Sequence, residues 1–228
     1  MLFLGQHKAS LGPKCLLLGV VGLVVIGAWW MMFPSADSVP KWLEPYLLNG
    51  DFFRRGLVFF CLIFYLLRLT ATTLVFLKRK FVWGESFVVT TFMTIVLLAV
   101  AWRGGANTDS VGFIEIAGLA LYFVGSYLNT FSEYQRLKFK SIPTNKGQLY
   151  TQGLFRLSRN INYFGDIVLF SGLALVTGRM SLLLIPLAMT LNFVFFIIPQ
   201  KETYLSEKYG SQFRDYSKHT RKLIPFCY

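Results

Sequence analysis

Acidic residues are scarce. Eleven Asp and Glu stand against 23 Lys and Arg, and all charged residues together make up 15% of the 228-residue chain. A disordered chain needs more charge and less apolar content than this, and a collagen-like fibre needs a glycine repeat that is absent. Cysteine is also sparse. Cys15, Cys61 and Cys227 lie in unrelated contexts and make no disulfide framework. His7 and His219 are the only histidines, there is no CxxC pair, and no metal site is expected. GxGxxG, Walker and HExxH patterns are missing too, which removes the common soluble cofactor motifs.

What is abundant is apolar: 54% of residues are hydrophobic and 17% aromatic. They fall in runs with almost no charge, which excludes a soluble globule, because a bilayer core of roughly 30 Å takes about 20 apolar residues per helix. Six runs can be drawn: Cys15 to Phe33, Leu57 to Leu77, Phe87 to Trp102, Val111 to Phe131, Tyr163 to Gly178 and Met180 to Pro199. The third and fifth are short, and only Arg179 separates the last two, which predicts a tight helical hairpin. The first run follows Lys8 and Lys14 but is longer than a signal-peptide core and ends in Trp29-Trp30-Met31-Met32-Phe33, not in small residues. A retained span with tryptophans at the membrane interface is expected. The fold class predicted is all-α: a polytopic membrane bundle of about six transmembrane helices with an amphipathic C-terminal tail.

The basic residues alternate with the runs. Segments 1–14, 78–86, 132–160 and 200–228 hold 17 Lys and Arg, and the segments on the other side of the spans hold five. By the positive-inside rule this places both termini in the cytoplasm and makes the chain a multi-pass integral membrane protein. The same bias, with attraction to anionic lipid, accounts for the basic surplus, so membrane lipids are the expected partners and nucleic acid is not.

Polar residues concentrate in the second half of the chain, which suggests a division into N-terminal helices over 1–124 and a second domain over 125–228. Asn129, Ser132, Glu133 and Arg136 recur at helical spacing and would line one face of a helix leaving the membrane. Arg136, Lys138, Lys140, Lys146, Arg156 and Arg159 gather positive charge at one mouth. Asn160, Asn162 and Tyr163 add neutral donors and acceptors, and Asp166 enters an apolar run, where a carboxylate is costly and marks a candidate site. This set would suit a bulky anionic cofactor held against the bilayer, with a lipid-soluble substrate opposite. A plainer reading stays open: the cations snorkel to headgroups and the Asn and Asp side chains cap the fifth helix. The tail from Lys201 to Tyr216 is either an interfacial amphipathic helix or a flap that closes the polar mouth with Glu202, Tyr204 and Tyr216.

Several of these residues fall into an ordered pattern. Gly153-Leu154-Phe155, Ser158, Asn162-Tyr163-Phe164-Gly165-Asp166-Ile167 and Gly172-Leu173-Ala174-Leu175 resemble the C-terminal domain of steroid 5-alpha-reductases, which reads GLF, then NYFGE, then GxAL. Upstream, Asn129-x-x-Ser132-Glu133 resembles that family's N-x-x-S-D. The ending, from Tyr204-Leu205 to Arg221-Lys222-Leu223-Ile224-Pro225-Phe226, resembles its closing segment. The resemblance covers about residues 125–228. Sterol reductases share RHxNYxGD, whose last residue matches Asp166. Isoprenylcysteine and phospholipid methyltransferases share RHPxYxG, but Asn160 stands here for their His and Ile161 for their Pro.

The reductase resemblance implies a membrane enzyme that uses NADPH to reduce a carbon–carbon double bond of a steroid-like or isoprenoid lipid. It implies cofactor contacts at Asn129, Ser132, Glu133, Arg136, Asn162, Tyr163, Asp166 and Tyr204, to which the basic cluster adds Arg159 and the tail adds Glu202 as candidates. The related methyltransferases imply S-adenosylmethionine as the alternative cofactor. In the reductases a Glu and a Tyr from the N-terminal helices polarise the substrate carbonyl. Glu115 and Tyr122, seven residues apart and so on one helix face, are the membrane-embedded candidates here, and side-chain packing is the competing reading for both. Arg68, inside the second run, would snorkel or pair with a carboxylate such as Glu115.

Overall fold

A computed structural model describes residues 10–34, 41 and 44–228, and every regular element among them is helical. His7, Lys8 and most of the 34–43 loop, on which part of the charge map rests, lie outside the described residues. Eight helices are α1 (Leu11–Met32), α2 (Phe52–Ala71), α3 (Trp83–Gly105), α4 (Phe113–Lys140), α5 (Ile161–Val176), α6 (Leu184–Asn192), α7 (Ile198–Tyr209) and α8 (Ser211–His219). A π-helical turn, Thr72–Phe76, prolongs α2, and another, Phe193–Ile197, fuses α6 to α7.

Among the described residues, five helical stretches are long and apolar enough to cross a membrane: Leu11–Met32, Phe52–Phe76, Trp83–Gly105, Phe113–Lys140 and Met180–Tyr209. α5 is shorter, at 16 residues. At 1.5 Å per residue it reaches about 24 Å, less than the hydrocarbon core. The protein is a multi-pass helical membrane protein. The third run, expected to be short, is a 23-residue helix, because Trp83, Gly84 and Glu85 continue it backwards and Arg103 to Gly105 continue it forwards. The second helix also begins earlier than its apolar run. Asp51 caps it by accepting from the Arg54 amide at 2.8 Å, so Arg54 and Arg55 belong to its first turns and not to a loop.

The chain divides into two bodies. The first holds the described residues up to Ala120 together with Ser171–Leu183, and the second holds Leu121–Phe170 and Leu184–Tyr228. One break lies between Ala120 and Leu121, and residues 171–183 group with the N-terminal helices.

In the first body α1, α2 and α3 pack on one another. Leu17, Val21, Val24, Val25, Ala28 and Met32 form the buried stripe of α1, at the three- and four-residue intervals of one helix face. They meet Val58, Cys61, Leu62 and Tyr65 of α2 and Val96, Leu97, Val100 and Ala101 of α3 in the core. Leu23, Ile26 and Trp29 of α1 and Val88, Ile95 and Leu98 of α3 are exposed, as apolar residues facing lipid should be.

In the second body, α4 and α5 cross at glycine. A Cβ on Gly165 would lie 2.6 Å from the Asn129 amide nitrogen, and one on Gly125 would strike the Leu169 backbone. The two backbones touch there, which sets Asn129 of α4 beside the first turn of α5. Pro199 has no N–H to return to the turn before it, and the helix widens at Phe193–Ile197, just upstream.

Candidate functional site

Two polar systems assemble in the second body. The first joins α4 to α5. Asn129 Nδ2 donates to the Asn162 carbonyl at 3.0 Å, and Asn162 Nδ2 donates to Glu133 Oε1 at 3.0 Å. Glu133 Oε2 is paired with Arg136 one turn further along α4. Asn129, Glu133 and Asn162 are all buried. These bonds fix the orientation of the Asn162 amide and leave its Oδ1, a buried acceptor, with no donor among the described residues. Ser132, also buried, turns its hydroxyl back onto the Asn129 carbonyl at 2.8 Å and serves its own helix.

The second system ties the turn before α5 to α7 and α8. Arg159 donates from Nε and Nη2 to Glu202 Oε1, at 3.0 and 2.7 Å, and from Nη1 to the Ser217 and Thr220 carbonyls at 2.8 and 2.6 Å. Lys201 is buried and donates to Asn160 Oδ1 at 2.8 Å, while Asn160 Nδ2 donates to the Lys222 carbonyl at 2.8 Å. The Lys201 ammonium also sits 4.7 Å from the centroid of the Tyr163 ring, which stacks on Phe193 of the widened π turn. Tyr216 donates to the Phe155 carbonyl at 2.6 Å, which packs α8 onto the Gly153–Arg156 turn. Burial pushes the Tyr216 phenol well above its ordinary range, against a smaller opposing effect of the Arg159 guanidinium.

The charge in this region is lopsided. Lys201 feels Arg136, Lys140, Glu133 and Glu202 electrostatically, and Lys140 in turn feels Arg136, Lys208 and Glu133. Four basic side chains (Arg136, Lys140, Lys201 and Lys208) thus interact with two carboxylates. Glu202 is already held by Arg159, so the imbalance is larger than the count.

The expected site residues therefore separate into groups. Asn129, Glu133, Arg136 and Asn162 share one network, Arg159 and Glu202 share the other, and Tyr163 lies under Lys201. Asp166 is half-buried one turn beyond Asn162 on α5, and Tyr204 accepts from Lys208 at 2.8 Å on α7. Glu115 and Tyr122 belong to different bodies. Tyr122 is fully buried on α4. Glu115 is paired with Arg54 at 2.9 Å through Oε1 and accepts from the Gly112 amide at 2.8 Å through Oε2. The cation partner of Glu115 is thus Arg54, while Arg68 lies over the Tyr65 ring at 5.3 Å.

The family to which these features belong is identified by comparison with known sequences. Residues 64–220 match the family described as "Protein of unknown function (DUF1295)". The chain belongs to the DUF1295 family. It is a steroid 5-alpha-reductase-like membrane family. A curated relative, a "Probable O-methyltransferase ustE" from Ustilaginoidea virens, is 35% identical over 89 residues. That match takes in 39% of this chain and 31% of the relative, so the chain spans about a third of the relative's length.

Two residues of this DUF1295 chain that complete the site, Asn160 and Lys201, were not among the expected cofactor contacts. Asn160 reads in sequence as a replacement for a family histidine, and Lys201 as the first polar residue of a tail. A lysine two residues past a helical proline, at the end of an apolar run, was the available signal. Chemically, the assembled region offers one oriented acceptor, an excess of cations and an aromatic face. It can hold a polyanionic ligand that also carries an N–H donor.

Proposed function

We propose that the chain is an integral-membrane reductase that uses NADPH to saturate a carbon–carbon double bond of a steroid-like or isoprenoid lipid. One observation supports this most: the oriented acceptor Asn162 Oδ1 lies in a region where cations outnumber carboxylates. Phosphates answer the cations, and the N–H of a carboxamide or an adenine answers the acceptor. S-adenosylmethionine supplies donors but no phosphate, and its sulfonium would meet the same cations unfavourably. When bound, NADPH would supply a hydride to the β carbon of an enone, and a proton from solvent would complete the saturation at the α carbon.

The chain's own residues do the rest. Arg136, Lys140, Lys201 and Lys208 are the cations available to phosphate. Asn129 holds the Asn162 backbone and Glu133 holds its amide, so Oδ1 meets the ligand without reorganising. Arg159 and Glu202 pin α7 against the turn before α5 and keep Lys201 over Tyr163. Both oxygens of Glu115 are engaged, which leaves Tyr122 as the candidate donor to a substrate carbonyl. The reading also places this site at the cytoplasmic leaflet, with both termini cytoplasmic.

The second reading, an S-adenosylmethionine-dependent methyltransferase acting on a lipid or prenylated thiol, rests on the likeness to the probable O-methyltransferase. Calorimetry on detergent-purified full chain separates the two. The reductase reading expects NADPH to bind, S-adenosylmethionine not to, and Asn162→Ala to weaken NADPH binding about tenfold or more while the chain stays folded. S-adenosylmethionine binding with methyl transfer, and none of NADPH, would replace it with the second reading.

A further inference from the structure

After α8 the chain folds back on itself. Leu223 is fully buried, its amide donates to the Tyr228 carbonyl at 2.6 Å, and Phe226 sits in the left-handed region at φ 66°. A non-glycine residue there carries strain of roughly 1 kcal/mol or more, so the surrounding contacts determine the loop. Between this loop and the end of α8 lies a cleft of about 380 Å³. That is within the range of roughly 300–1,000 Å³ usual for small-ligand sites.

The lining is basic. Arg159, Lys218, His219, Arg221 and Lys222 contribute to it, and no Asp or Glu side chain does. Arg159 is consumed by Glu202 and by two carbonyls, and so forms the floor of the cleft. Lys222 leans over the Tyr228 ring, 5.3 Å from its centroid. Lys218 and Arg221 are exposed, and their side chains make no hydrogen bond or ion pair among the described residues. Two large apolar side chains of the same loop are also exposed: Ile224 at 39% and Phe226 at 78%. Unpaired cations in a concave site beside uncovered apolar side chains match an anionic head and a greasy tail on one molecule.

We infer that this cleft binds the phosphate head of an anionic membrane phospholipid, with Lys218, Arg221 and Lys222 on the phosphate and Ile224 and Phe226 against the acyl chains. Each Lys or Arg near an anionic head strengthens binding severalfold, so three together set a clear preference over a zwitterionic head. The inference is independent of the NADPH reading, because none of these three cations belongs to the Asn162 cluster.

The test titrates detergent-purified full chain with short-chain phosphatidate, with phosphatidylcholine of the same chain length, and with inorganic phosphate. Phosphatidate should bind at least about tenfold more tightly than either of the others. Lys218→Gln/Arg221→Gln/Lys222→Gln should abolish the preference, and Arg221→Gln alone, at an exposed position, should weaken it severalfold. Lys138→Gln/Lys146→Gln/Arg156→Gln removes the same charge elsewhere on the second body and should leave the preference intact. Equal loss in both triple variants would reduce the effect to general surface charge and overturn the site. Inorganic phosphate binding as tightly as phosphatidate, or NADPH displacing phosphatidate competitively, would overturn the lipid assignment.

Discussion

Arg54 in the first body and Lys201 in the second are both buried cations, and the two are treated differently. Arg54, in the first body, is 0% exposed and uses four of its five N–H donors. Nε donates to the Asp109 carbonyl at 3.1 Å, Nη1 to the Val176 carbonyl at 3.3 Å, and Nη2 to the Ser110 carbonyl and to Glu115 at 3.0 and 2.9 Å. Gly178, at φ 68°, leaves room for the guanidinium where any Cβ would collide with it. Lys201, in the second body, is 8% exposed but has one hydrogen bond and one ring face for three donors. Nearby stand an acceptor with no donor and a surplus of like charge. A buried cation with nearly all its donors matched closes a structure. One with donors to spare is poised for a ligand.

The comparison breaks most sharply at Arg54. Arg54→Met removes the cation, takes from half-buried Glu115 its ion-pair partner and leaves three carbonyls, that of Val176 among them, without their donor. The expected cost is about 3–5 kcal/mol of stability. In detergent, the thermal transition should fall by many degrees, or the protein should fail to elute as a folded species. An Arg54→Met protein as stable as the parent but unable to turn over substrate would reverse the assignment and make the Arg54–Glu115 pair functional.

Lys201 sharpens the other side. Lys201→Met keeps the length and the packing over Tyr163 and removes a costly buried charge, so stability should stay level or rise slightly. NADPH affinity should fall about ten- to a hundredfold, the range for a charge-assisted hydrogen bond to a phosphate. Calorimetry and a melting curve on the same sample read both quantities. A melting loss as large as that of Arg54→Met, with unchanged affinity, would show that the two cations play the same role.

These two residues also mark how far the sequence could be read. The helical class and the polar face Asn129–Glu133–Arg136 were legible, because both rest on local periodicity: a long apolar run, or side chains three and four apart on one helix. The pairings that define the site are not local. Lys201 meets Asn160 across 41 positions, and Arg54 meets Glu115 across 61. Nothing in the spacing of either partner announces the other. Arg54 reads as a loop residue because charge precedes an apolar run, and only the Asp51 cap brings it into α2. The orphaned acceptor was out of reach for a different reason. Asn162 is visible in its motif, but that its amide is turned by Glu133 so that Oδ1 is left over is a fact of side-chain geometry.

The smallest effect concerns the lid of the second body. Tyr216 of α8 is held to the Gly153–Arg156 turn by one hydrogen bond, whose loss in Tyr216→Phe should cost about 1 kcal/mol at neutral pH. Its phenol is neutral in the fold, and burial raises its pKa above the ordinary value of 10.0. The folded state therefore holds this proton more tightly than the unfolded chain does. The contribution is fully present below pH 10.0 and is lost as pH climbs from there toward the raised folded value. Melting temperature followed against alkaline pH should fall more steeply in the parent than in Tyr216→Phe, and the two curves should converge. Parallel curves would mean that α8 carries no proton-linked hold on the turn, and that Arg159 and Glu202 alone keep the second body closed over Lys201.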